Sequence, residues 1–187
     1  MSAEHPWYEL YQGGDLWQGD FLDACSVVVS PPGEALVRAA LGESDEIAGE
    51  LLTYDLVVMT QSCDLVEPES DFLACCPRYQ WQRFVEDNPR YGAKDKRDNL
   101  RKGLMLGIHL LNEWPERGMD FQVVDFRNVI SLPTTYVQFL AGRERERVRL
   151  LSPYREHLAQ AFARYFMRVA LPTDILTLPA RGTAQAR

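Results

Sequence analysis

The stretch from Tyr54 to Leu65 constrains this chain most. An apolar run, Leu56-Val57-Val58-Met59, passes directly into the polar residues Thr60-Gln61-Ser62-Cys63-Asp64. A short apolar run with two adjacent valines favours a buried strand over a helix. The polar residues that follow suit a strand-end loop, where a rigid support meets an accessible surface. Such a loop can carry function. It can equally be a turn in which Ser62 and Asp64 bond the local backbone.

Other strands are read on the same grounds. Gln18 to Val29 leads into Val27-Val28-Val29 and stops at Ser30-Pro31-Pro32-Gly33, and Phe72 to Cys76 stops at Pro77. Leu104 to Leu111 and Phe121 to Ile130 also read as strands. Glu34 to Leu52 reads as an excursion with a short helix. Tyr79 to Asp87 and Lys94 to Lys102 read as short helices, the second alternatively as a loop. Thr134 to Leu140 reads as one or two helical turns. The clearest helix is Pro153 to Val169, with Ser152 as cap and Leu158, Phe162, Tyr165, Phe166 and Val169 on one side. Strands and helices in these runs predict an α+β fold. The expected layout is one domain over 1–187: a core at 18–151, a helical insertion at 78–103, a C-terminal helix at 153–170 and a frayed tail from Arg181 to Arg187.

Charge is divided unevenly along the 187 residues. The formal net charge is -7, yet residues 1–77 hold one base, Arg38, against fifteen acids. Residues 78–102 hold eight bases and four acids, and residues 143–187 hold nine arginines and four acids. An acidic half repels phosphate backbones, so nucleic-acid binding over the whole surface is excluded, while a confined basic groove stays open. No apolar run approaches the ~20 residues that span a bilayer, and the N-terminus does not resemble a secretory leader. A cytoplasmic protein with no membrane contact is expected.

Arg143, Arg145, Arg147 and Arg149 alternate with other residues, so a strand places all four on one face. This is either a solvated edge strand or a ladder that grips an anion or an acidic partner. Arg164 and Arg168 lie on the polar side of the last helix.

Catalytic signals are weak. Cys63 is followed by Asp64, whose carboxylate opposes thiolate formation. The nearest candidate base is His109, distant in sequence and set among apolar residues. Phosphate-loop, dinucleotide-binding and nucleophile-elbow motifs are missing from the sequence. Adjacent Cys75 and Cys76 must point to opposite sides of a strand, and Cys63, Cys75, Cys76 and His109 follow no zinc spacing. No metal or cofactor is expected.

Three pieces in order resemble the PemK/MazF toxin family: Gln18-Gly19-Asp20-Phe21-Leu22, Leu56-Val57-Val58-Met59-Thr60-Gln61, and Phe72-Leu73-Ala74-Cys75-Cys76-Pro77. The chain also resembles uncharacterised bacterial proteins with a Gln-Ser-Cys-Asp loop and a Ser-Pro-Tyr-Arg-Glu-His-Leu helix. The resemblance implies a strongly bent SH3-like β-barrel with inserted helices, in which Asp20 is a structural position. The family's ribonuclease residues do not carry over. Thr53-Tyr54-Asp55 stands where a basic lead-in is needed, and Pro77-Arg78-Tyr79 follows the third strand without a hydroxyl.

Taken together, these features lead to a non-catalytic bacterial interaction module of a defence or toxin–antitoxin type. It would dock on a protein partner through Gln61, Ser62, Cys63, Asp64, Arg143, Arg145, Arg147, Arg149, Arg164 and Arg168. The alternatives are an RNA-binding protein or endoribonuclease with Arg78 and the arginine ladder as a phosphate groove, and a cysteine-dependent enzyme at Cys63.

Overall fold

The computed structural model describes residues 6–29, 33–43, 49–66, 71–143 and 146–167. Arg145, Arg168 and the segment Arg181 to Arg187 lie outside these residues. Among the described residues there are eight strands: β1 (Tyr8–Tyr11), β2 (Phe21–Val29), β3 (Glu50–Val58), β4 (Phe72–Gln80), β5 (Ile108–Leu111), β6 (Gln122–Asp125), β7 (Ile130–Pro133) and β8 (Arg147–Leu150). The helices are α1 (Gly33–Ala40), α2 (Ser62–Val66), α3 (Trp81–Asp87), α4 (Lys94–Arg101), α5 (Thr134–Arg143) and α6 (Tyr154–Phe166). The fold is α+β, and every strand pairing is antiparallel.

The central sheet runs β2-β3-β4-β6-β5, with β7 also on β4. Strand β4 organises it. One edge pairs with β3; the other pairs first with β7 over Phe72 to Cys75 and then with β6 over Arg78 to Gln80. Pro77 was expected to end this strand, yet the strand runs on to Gln80. Pro77 falls in the gap between the β7 and β6 pairings, where the absent N–H costs no ladder bond. The reading of one strand from Phe121 to Ile130 also changes. Asp125 accepts bonds from the Arg127 backbone and side chain, and the chain turns there, giving β6 and β7.

Strands β1 and β8 form a separate ribbon. It joins β2 through a bridge between Asp20 and Arg149 and through Gly19. The Gly19 N–H donates to the Val58 carbonyl at 2.8 Å, and its own carbonyl accepts from the Leu150 N–H at 3.1 Å. Gly19 has φ +86°, and a Cβ there would sit 3.0 Å from the Leu150 side chain, so both conformation and space require glycine. The closed barrel expected from sequence is not formed. The hydrogen-bonded order is open, because β8 pairs with β1 rather than with an edge of the central sheet.

The core lies in three clusters. One fills the space between β2, β3, β4, β7 and α5, and contains Cys25, Leu56, Leu73, Cys75, Leu132 and Val137. A second lies beneath α6 and contains Tyr8, Phe21, Val57, Cys76, Phe126, Leu150 and Leu158. Cys75 and Cys76 thus face opposite sides of β4, as strand alternation requires. The third cluster, Phe84, Tyr91, Leu100, Ile108 and Val123, seats α3 and α4 on β5 and β6.

The arginine alternation does place Arg147 and Arg149 on one face, but that face is inward. Both are 4% exposed, and Asp20, wholly buried, lies between them. Arg147 Nε meets Asp20 Oδ2 at 2.8 Å, while Arg149 Nε meets Oδ1 at 2.6 Å and its Nη2 meets Oδ2 at 2.9 Å. The remaining guanidinium donors reach the carbonyls of Gly13, Asp15 and Ala141. Tyr11 covers the Arg149 guanidinium, 3.5 Å from its ring centre. The docking role expected of these two arginines is therefore corrected: they close the fold. Removing one partner of such a buried network leaves the others desolvated and unmatched. An Asp20→Ala variant is expected to lose about 3–5 kcal/mol of stability in urea denaturation. A loss under about 1 kcal/mol would show that water reaches the cluster.

Candidate functional site

A cleft of about 730 Å3 opens between α4, β5 and α6. Its volume lies within the range of small-molecule sites. Helix α4 reads Lys94-Asp95-Lys96-Arg97-Asp98-Asn99-Leu100-Arg101. Leu100 turns into the third cluster and fixes the helix, which leaves Arg97 and Arg101, four residues apart, on the cleft wall. Like charges at that spacing cost a helix about 0.2–0.5 kcal/mol, so stability alone does not favour them. Lys102 and Gly103 continue the wall.

Helix α6 supplies the opposite side. Leu158, Phe162 and Tyr165 pack on the core, and His157, Gln160 and Arg164 face the cleft. Trp7, just before β1, stacks on Tyr154 of α6 with ring centres 3.6 Å apart and planes 9° apart. Trp81 at the start of α3 donates its backbone N–H to the Phe121 carbonyl at 2.8 Å, and both side chains line the cleft. The floor includes His109, Leu110 and Asn112 from β5 and the loop after it.

The lining carries four permanent cations, Arg97, Arg101, Lys102 and Arg164, and no carboxylate. None of the four makes an ion pair among the described residues. In a chain of net charge -7 this is a local reversal of sign. A concave wall of unmatched cations concentrates anions from solution.

His109 sits deeper and stacks against Phe126, 6.2 Å between ring centres. Burial holds its pKa down at about 4, with further lowering from His157 and Arg164. It is neutral at neutral pH. The sign for stability follows. An unfolded histidine takes a proton near 6.5, whereas the folded one resists it to about 4. The neutral state's contribution is complete above 6.5 and is lost as pH falls from about 6.5 towards 4.

The residues singled out from sequence are dispersed. Gln61, Cys63 and Asp64 are exposed at the start of α2, and Ser62 accepts a bond from the Gln18 backbone at 3.1 Å. Thr60 Oγ1 accepts from the Ala74 N–H at 2.8 Å, and Gln18 Nε2 donates to the Met59 carbonyl at 2.7 Å. The polar loop thus brackets the ends of β3 and β4 to the turn before β2. Cys63 Sγ donates to Asp64 Oδ1 at 3.1 Å, and that bond raises the thiol's pKa. Its neighbours are Asp64 and Gln61, and His109 belongs to a different element and a different side of the core. Burial pushes Cys75 and Cys76 up to about 12. Among the described residues, no three metal-ligand side chains converge.

Arg78 is also corrected as a phosphate-groove residue. It is buried, pairs with Asp23, donates to Gln122 Oε1 at 3.0 Å and lies over the Phe21 ring. Arg143 ends α5 in an exposed position outside the cleft lining, and of the expected arginines among the described residues Arg164 alone lines it. Arg97, Arg101 and Lys102 were not singled out, although the basic excess of residues 78–102 marked their segment. No helix among the described residues is long and apolar enough to cross a membrane. Comparison with family models, curated proteins and solved structures returned no match to this chain.

Stability measured by urea midpoint should fall between pH 6.5 and 4.5 more steeply in the wild type than in His109→Leu. Identical slopes in the two proteins would show that His109 protonates freely in the folded state.

Proposed function

We propose that the protein binds single-stranded nucleic acid, with RNA as the first candidate, in the cleft between α4, β5 and α6. The observation that carries this is the combination of four cations that make no ion pair among the described residues with the aromatic residues Trp7, Trp81 and Phe121 in the lining of one cleft. Cations neutralise phosphates, and exposed aromatic rings take the faces of unpaired bases. A duplex presents no base faces, and the acidic remainder of the chain disfavours a broad backbone footprint. The groove therefore differs from the one expected from sequence: Arg97, Arg101, Lys102 and Arg164 replace Arg78 and the arginine ladder.

A second reading, a module that docks on a protein partner, is favoured by a separate observation. Helix α1 buries none of its residues, and Leu36, Val37 and the following Leu41 are exposed, as are Val28 and Leu51 of β2 and β3. Kinship with the PemK/MazF barrels is likewise a proposal. What supports it is that the three motif-bearing strands, β2, β3 and β4, are consecutive antiparallel neighbours.

Binding should weaken steeply with salt. About four phosphate contacts on a single strand give a slope of log K against log salt of about -3, at ~0.7 per contact. The double variant Arg97→Gln, Arg101→Gln should lower that slope by about 1–1.5, whereas Arg143→Gln should leave it unchanged. Fluorescence anisotropy with a labelled oligonucleotide reads both. Absence of binding at low salt would dismiss the proposal and move the weight to the exposed apolar face.

A further inference from the structure

The cleft holds two groups that phosphate binding does not use. Asn112, just after β5, and Gln160, on α6, both line it. Neither side-chain amide has a hydrogen-bond partner among the described residues. The Asn112 backbone carbonyl accepts the Tyr8 hydroxyl at 2.6 Å, which pins the residue while leaving its side chain to the cleft. A primary amide offers two donors and an acceptor in one plane, the pattern that pairs with the edge of a nucleobase.

The aromatic wall fixes where such a base would lie. Tyr154 stacks on Trp7 and holds the indole in place. A ring already immobilised loses little entropy when a ligand stacks on the cleft. Arg97 and Arg101 come from α4, a different element from the Trp7 segment and α6.

Resting on the reading of the cleft as a nucleic-acid site, we propose that it is base-selective: an unpaired base stacks on the Trp7 wall while Asn112 and Gln160 read its edge. The phosphates on Arg97, Arg101 and Arg164 supply affinity without sequence information. Asn112 and Gln160 are then specificity-determining residues rather than affinity anchors.

The test uses the full chain and labelled single-stranded RNA homopolymers of about eight nucleotides, one for each base. A DNA strand and an abasic sugar–phosphate strand of the same length complete the set. The base-bearing strand that binds tightest should exceed the abasic strand by about tenfold, the effect of one stacked base. Preference among the bases should be about fivefold or more, and it should shrink in both Asn112→Ala and Gln160→Ala. Affinity for the abasic strand should not change in either variant. Trp7→Ala should lower affinity for every base-bearing strand by more than it lowers affinity for the abasic strand. Equal binding of base-bearing and abasic strands overturns base reading while leaving the phosphate-binding cleft intact. A base preference that survives both amide variants overturns the assignment to Asn112 and Gln160. Failure of every strand to bind overturns the cleft's assignment to nucleic acid, and base reading with it. RNA and DNA strands that bind alike show that the base, not the 2′-hydroxyl, is what is recognised.

Discussion

One buried carboxylate holds this architecture together. Asp20, at the entrance to β2, is clamped by Arg147 and Arg149 of β8, more than a hundred residues later. Two guanidinium groups against one carboxylate leave a net positive charge in the interior. The carbonyls of Gly13, Asp15 and Ala141 and the Tyr11 ring accept the remaining donors. An ion cluster of this kind gains little over well-packed apolar residues, but it permits only one register. Here the register it permits is β8 beside β1, with Gly19 bridging to β3 and Leu150 delivered to the core beneath α6.

The cleft depends on that closure. Helix α6 follows β8 directly, so the clamp sets where His157, Gln160 and Arg164 are delivered. The opposite wall depends on a different unit, the small cluster around Phe84, Tyr91 and Leu100 that seats α4. Neither wall is a site by itself. Residues 1–77 carry most of the acidic excess, while Arg97, Arg101, Lys102 and Arg164, which make no ion pair among the described residues, face the concavity. The cleft is thus a local basic surface on an acidic protein.

Sequence patterns went a long way with the strands and less far with the site. Val57 and Val58 marked a buried strand, and Thr60 to Asp64 was legible as a polar strand end, but Thr60 and Ser62 bond the distant Ala74 and Gln18 N–H groups rather than local backbone, and α2 begins at Ser62. Pro77 misled, since a proline's cost depends on whether a neighbour needs its N–H, and that neighbour changes from β7 to β6 just there. Alternation put Arg147 and Arg149 on one face correctly. Which face was inward depended on Asp20, and no local pattern reveals a partner at that distance. The basicity of 78–102 was visible, but its meeting with α6 belongs to the tertiary fold alone.

The proposed place of nucleic-acid binding is this cleft and not the rest of the surface. Ultraviolet cross-linking of the full chain to an unlabelled uridine-rich strand, followed by peptide mass spectrometry, tests that location directly. Adducts are expected on peptides containing Trp7, Trp81 or Phe121, and they should be lost in excess salt. Adducts confined to the α1 face or to the loop at Gln61 to Asp64, with none in the cleft, would contradict it.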